Sequence, residues 1–106
     1  VKHLVHSGEN FQSSNHLYLS RVPGIGDRER REIIIKLAER GVNCNVHYKP
    51  LPMMTAYKEL GWDIKDFPNA FDYYCNLITL PLHTKLSDED VEYVIENFRE
   101  VVGEYL

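Results

Sequence analysis

The chain of 106 residues is 43% apolar and 26% charged, with sixteen acidic against twelve basic side chains, the balance of one ordinary globular domain. Its longest apolar runs, Ile33 to Ile35 and Leu80 to Leu82, fall far short of the ~20 residues that a membrane-crossing helix needs, which excludes a spanning role, and nothing resembles a signal-peptide core. A formal charge of −4 at pH 7 provides no basic field to hold phosphates, which argues against nucleic-acid binding.

At this size one core forms without metal or disulfide staples, and two layers are the expected architecture. Cys44 and Cys75 lie far apart and outside any CxxC spacing, which suits a reducing, cytoplasmic compartment with buried thiols. Residues 87 to 106 carry seven acids against the single base Arg99, so the acidity is concentrated at the C-terminal end. The first residue is Val1 rather than methionine, and the expectation is a domain cut from a longer protein.

In chain order, residues 1 to 15 show no sustained period and read as a lead-in with at most a short strand and no core residue. His16 to Val22 alternates as a strand, with Leu17, Leu19 and Arg21 on one side and Tyr18, Ser20 and Val22 on the other, until Pro23-Gly24 ends it. Gly24-Ile25-Gly26 lacks the third glycine of a dinucleotide fingerprint and reads as a turn. A helix follows from about Arg28 to Arg40, with Asp27 as its cap and Ile34, Leu37 and Ala38, flanked by Ile33, as its inward stripe. Glu32 is set to pair with Lys36, and Gly41 to close the helix in a Schellman turn with Val42.

Val42 to His47 reads as a second strand with Val42, Cys44 and Val46 on one face. Pro50 and Pro52 enforce extended backbone. Met53 to Leu60 then has the composition of a short helix ended by Gly61, and Trp62 to Phe67 reads as a loop. Pro68 opens another short helix with Phe71, Tyr74 and Cys75 inward. Leu77 to Leu82 is apolar on both faces, as a central strand would be, and is limited by Pro81. Ser87 and Asp90 form a capping box, Leu86 can staple against Val91, and Val91, Val94, Ile95, Phe98, Val101 or Val102, and Tyr105 form the inward stripe of the last helix.

The resulting fold class is α+β, a small sheet of about three strands covered by helices. A right-handed crossover makes the first two strands parallel, and Leu77 to Leu82 running antiparallel between them would give a partial ferredoxin-like sheet.

For chemistry, His3, His6, His16, His47 and His83 include no HxxxH pair and no neighbouring ligand at zinc-site spacing, so no metal site is expected. Cys44 falls on the apolar face of its strand and reads as inert. Ser13 and Ser14 lack a nucleophile elbow and read as turn residues. His47-Tyr48-Lys49-Pro50-Leu51-Pro52 sets an imidazole, a phenol and an ammonium at a strand end. It reads either as a cluster that meets a phosphate or sugar, or as a proline-fixed turn whose Tyr48 packs on Tyr57 or Trp62.

Taken in order, His16-Leu17-Tyr18-Leu19, Glu39-Arg40-Gly41-Val42, Val46-His47-Tyr48-Lys49-Pro50-Leu51, Ala56-Tyr57, Leu60-Gly61-Trp62, Phe67-Pro68-Asn69-Ala70, Leu80-Pro81-Leu82-His83 and Leu86-Ser87-Asp88-Glu89-Asp90-Val91 resemble the C-terminal domain of the DegT/DnrJ/StrS-type sugar aminotransferases. The likeness covers residues 14 to 103 and resides in the ordered set rather than in any one piece. It implies the small α+β domain of a fold-type-I pyridoxal phosphate enzyme that moves an amino group, usually from glutamate, to a nucleotide-linked keto-sugar.

The family's cofactor lysine, the acidic partner of the pyridine nitrogen and the phosphate pocket belong to its large N-terminal domain. None of Lys2, Lys36, Lys49, Lys58, Lys65 or Lys85 stands in that lysine context. The resemblance therefore implies no catalytic residue in this stretch, no cofactor bound by it alone, and a homodimer when full length. It places His47 and Tyr48 at the substrate pocket, with Lys49 a further substrate-binding candidate toward nucleotide phosphate. A second reading is a free-standing ferredoxin-like module that binds a small metabolite or a partner chain.

Overall fold

The computed structural model describes all 106 residues. Nine elements follow one another: β1 (Lys2–His3), β2 (Ser7–Gly8), β3 (Phe11–Gln12), β4 (Tyr18–Arg21), α1 (Asp27–Glu39), α2 (Thr55–Glu59), α3 (Pro68–Asn76), β5 (Leu77–Leu80) and α4 (Asp88–Gly103), with short 3-10 turns at Leu51–Met53 and Ile64–Asp66. The main sheet has the order β1-β4-β5 and is antiparallel throughout. A separate β2–β3 hairpin projects from the N-terminal stretch.

β4 is the middle strand of the three, and β5, the apolar run expected to be central, is flanked by β4 and by a single bridged residue. Leu77, Ile78 and Thr79 are all buried; β4 pairs along one edge, Leu19 against Thr79, while Asn45 forms an isolated antiparallel bridge to Thr79 on the other. β5 is thus antiparallel to both neighbours, and those two run parallel to each other, as the expected crossover requires.

The Val42 to His47 strand itself shrinks to that one bridge. Its backbone donors are used locally instead: Val42 N–H turns back to the Leu37 carbonyl at 2.9 Å, and Val46 N–H donates to the Asn45 side-chain oxygen at 2.7 Å. The alternation still holds, since Val42 and Cys44 join the core and Asn43 and Asn45 are exposed.

The third strand comes from the lead-in, where Lys2 pairs with Arg21 and His3 with Ser20. Pairings two residues long are too short to leave a readable period. The lead-in still contributes no core residue.

One core lies between the sheet and the helices α1 and α4: Val22, Ile25, Ile33, Leu37, Val42, Ile78, Phe98, Val101 and Val102. The last helix follows its pattern closely. Asp90 N–H donates to Ser87 Oγ at 3.1 Å and Ser87 N–H to the Asp90 carboxylate at 2.9 Å, a reciprocal cap that also holds Asp90 below the usual carboxylate range. Val91 at its start remains exposed, beside Leu86 in a shared apolar depression.

α1 departs from expectation at three points. Asp27 is its first residue rather than its cap; Gly26 holds the cap position and donates its N–H to the Glu29 carboxylate at 3.0 Å. The Asp27 carboxylate turns to the guanidinium groups of Arg30 and Arg31. The inward face is rotated, so that Arg30 is buried while Ala38 is exposed. Arg30 donates to the Tyr74 carbonyl and lies 4.4 Å from the Tyr74 ring centroid, which ties α1 to α3. Lys36 does not pair with Glu32, because the acidic end of α4 offers Glu104 at 2.5 Å.

The Schellman turn at Gly41 is formed as expected, with φ of +78° and bonds from Gly41 to Ala38 and from Val42 to Leu37. In α3, Tyr74 and Cys75 are half-buried, but Phe71 is exposed. Within the expected Met53 to Leu60 helix only Thr55–Glu59 is α-helical, and the Trp62 to Phe67 loop contains the Ile64–Asp66 turn.

The chain is less compact than its length requires. Its radius of gyration is 15.4 Å, against about 13 Å for a compact domain of this size. Leu51, Met54, Tyr57, Leu60 and Trp62 all stand exposed along one connecting segment, an apolar surface that the chain itself does not cover.

Candidate functional site

His47 leaves the sheet edge two residues after the Asn45 bridge. Because Val42 and Cys44 enter the core, His47 lies on the opposite face of the sheet from α1 and α4. Its Nδ1 is 3.0 Å from Thr79 Oγ1, a diagonal cross-strand contact of the kind that fixes side chains on one sheet face.

The His47–Tyr48 peptide bond is cis, and the two rings meet edge to face with centroids 4.6 Å apart. Tyr48 is 68% exposed, and Lys49 is exposed beside it. The proline-fixed turn is present, but its aromatic partners differ: Tyr48 packs on His47, while Trp62 packs on Phe67 at 5.9 Å. The structure thus brings an imidazole, a phenol and an ammonium to one accessible strand end. They can donate hydrogen bonds to, and an ammonium can neutralise, an oxygen-rich anionic ligand.

Sequence reasoning passed over Thr79. Its signal was present, a hydroxyl within an otherwise apolar Leu77–Leu80 strand, and it is this hydroxyl that anchors His47.

A separate concave surface lies elsewhere. An apolar cavity of about 550 Å³ opens between α4 and the sheet, lined chiefly by Leu80, Leu82, Val91, Val94, Ile95 and Phe98, and none of His47, Tyr48 or Lys49 reaches it. It is a largely apolar gap in the helix-to-sheet packing, with His3 and Arg99 as the polar side chains among its lining.

Three of the other four histidines are engaged separately: His3 with Ser20 at 3.3 Å, His6 with Ser13 at 2.7 Å, and His83 with the Lys85 N–H at 3.3 Å; His16 is exposed. Burial pushes the Cys44 thiol up to about 11, so little thiolate exists near neutral pH. Iodoacetamide at pH 8 is expected to modify Cys44 on the order of a hundredfold more slowly than free cysteine. A rate equal to that of free cysteine, followed by mass spectrometry of the Cys44 peptide, would contradict the half-buried placement against the core.

The cavity offers no lysine to hold pyridoxal phosphate. Lys36 is taken up by Glu104.

Comparison with known proteins addresses the family and the fold. The model of the DegT/DnrJ/EryC1/StrS aminotransferase family matches residues 1–99. The spore coat polysaccharide biosynthesis protein SpsC of Bacillus subtilis is 38% identical over 93 residues, which is 82% of this chain and 23% of SpsC. The UDP-4-amino-4,6-dideoxy-N-acetyl-beta-L-altrosamine transaminase of Helicobacter pylori is 32% identical over 83 residues, 78% of this chain and 22% of that protein. Spr1654 of Streptococcus pneumoniae, solved in its PLP form, superposes with a TM-score of 0.94 at 53% identity, covering 98% of this chain and 26% of Spr1654. The chain therefore spans about a quarter of the length of these relatives. With the ordered motifs, the small antiparallel sheet and the near-complete family match in agreement, the chain belongs to the DegT/DnrJ/EryC1/StrS aminotransferase family.

Proposed function

We propose that this chain is the small domain of a pyridoxal-phosphate-dependent aminotransferase that transfers an amino group from glutamate to a nucleotide-linked keto-sugar. The domain shapes the substrate pocket, and the cofactor and its lysine sit in the part of the enzyme outside this stretch. His47, Tyr48 and Lys49 bind the substrate at the domain boundary.

The observation that carries this reading is their position: His47 stands on the sheet face away from the core helices, with Tyr48 and Lys49 exposed directly after it, in a chain matched to this family along nearly its whole length. The exposed apolar side chains from Leu51 to Trp62 support a second body packed alongside, because a patch of that kind is the mark of an interface. We assign that body to the cofactor domain and the assembly to a cytoplasmic homodimer. The free-standing module is set aside, since the relatives carry this segment within chains about four times as long.

The test is to express the full-length protein and assay it with pyridoxal phosphate, glutamate and a panel of UDP- and dTDP-linked keto-sugars. The expected result is an amino-sugar nucleotide formed in step with 2-oxoglutarate. Absence of turnover on every keto-sugar, with cofactor bound, would overturn the assignment.

A further inference from the structure

Thr79 is 5% exposed at the middle of β5, between Leu19 and Asn45. The backbone groups around it are already in use: its N–H donates to the Asn45 carbonyl at 2.7 Å, and its own carbonyl accepts the Asn45 N–H at 3.1 Å. The Thr79 hydroxyl has one hydrogen-bond partner, His47 Nδ1.

A hydroxyl brings one proton and two lone pairs. A buried proton without an acceptor costs the full desolvation of the donor, whereas an oxygen that lacks a donor is tolerated more readily. The hydroxyl therefore donates to the Nδ1 lone pair. The proton of the neutral imidazole is then on Nε2, the nitrogen that makes no hydrogen bond within the chain.

We infer that Thr79 is a positioning residue that holds neutral His47 in its Nε2–H tautomer, so that the subsite at His47 takes an oxygen acceptor of the nucleotide-sugar, a phosphate or sugar oxygen. This rests on the reading above in which His47 faces substrate. It adds the direction of the hydrogen bond, and with it the chemistry that the subsite accepts: an oxygen lone pair is bound there, while a ligand group offering only a donor is not.

The test uses the full-length enzyme with four variants: T79V, T79S, H47A and the H47A/T79V double. T79V keeps the shape of the side chain and removes the hydroxyl; it is expected to raise KM for the nucleotide-sugar about tenfold, the size of one lost net hydrogen bond. T79S restores most of that loss. In the H47A background T79V is expected to change nothing further, because the effect travels through the imidazole. An equal loss in both backgrounds, or none in either, overturns the positioning role. Inhibition by UDP or dTDP alone separates the two acceptor sources: it weakens in T79V when the acceptor is a phosphate oxygen, and holds when it is a sugar oxygen while the KM effect remains.

A direct reading comes from nitrogen NMR of the labelled wild-type enzyme, with the His47 signals assigned by their loss in H47A. A lone-pair Nδ1 and a protonated Nε2 are expected in the neutral ring; the reverse overturns the inference whatever the kinetics give. If H47A itself leaves kcat/KM unchanged while the tautomer is as inferred, the substrate-facing reading fails and the tautomer assignment stands.

Discussion

Replacing His47 by alanine in the full-length enzyme is expected to lower kcat/KM for the nucleotide-sugar by about 10- to 100-fold, the range for losing a hydrogen bond to a neutral or charged oxygen. The side chain is held from behind by Thr79 at 3.0 Å and from the side by the Tyr48 ring at 4.6 Å, so its free edge is presented in one orientation. Little entropy then remains to be lost when substrate arrives. The core lies on the other face of the sheet, so the substitution leaves the fold in place, and the absorbance of the bound cofactor is expected to be unchanged. Steady-state kinetics beside a cofactor spectrum check both halves. Wild-type kcat/KM in H47A would reduce the imidazole to a prop for the turn.

The second large effect concerns stability. Phe98 is 6% exposed and packs from α4 into the cluster with Val101, Val102 and Ile78. Truncation to alanine is expected to cost about 3–5 kcal/mol, the transfer free energy of the ring plus the cavity it leaves. That is a large share of the roughly 5–15 kcal/mol that holds a domain together. The loss falls in the one layer that fastens α4 to the sheet. Val94, half-buried at the margin of the same cluster, is expected to cost less when truncated, since part of its surface already meets water. Denaturant unfolding of the intact protein checks both. A wild-type midpoint for F98A would remove Phe98 from the core, whereas a lowered midpoint with normal kcat in the folded fraction separates this effect from that of His47.

The parts of the fold that were readable in advance are those whose partners are near in the chain. Ser87 and Asp90 cap α4 across three residues, and Gly41 ends α1 because its left-handed φ lets Val42 reach back to Leu37. Leu77 to Leu80 announces a buried strand by being apolar on both faces. His47 and Tyr48 stood out because two imposed prolines follow at a strand end.

The misreadings share the opposite property. Lys36 ignored Glu32, four residues away, for Glu104, sixty-eight away. Arg30 was turned inward by the Tyr74 carbonyl across forty-four residues, which rotated the buried face of α1 and left Ala38 outside. The third strand of the sheet came from Lys2 and His3 in the lead-in rather than from Val42 to His47, with His3 held on β4 by Ser20 and Tyr18.

From the amino-acid order alone, then, came the helix ends, the buried strand, the family likeness and the pair of aromatic residues to watch, since hydrogen bonds and hydrophobic periods within a few residues are written into neighbouring side chains. Only the tertiary structure decided that Asn45, rather than a whole strand, joins β5, and that a buried threonine thirty-two residues from His47 holds the imidazole in place. Those contacts depend on which surfaces the packed core leaves adjacent, and adjacency across a sheet has no local signature.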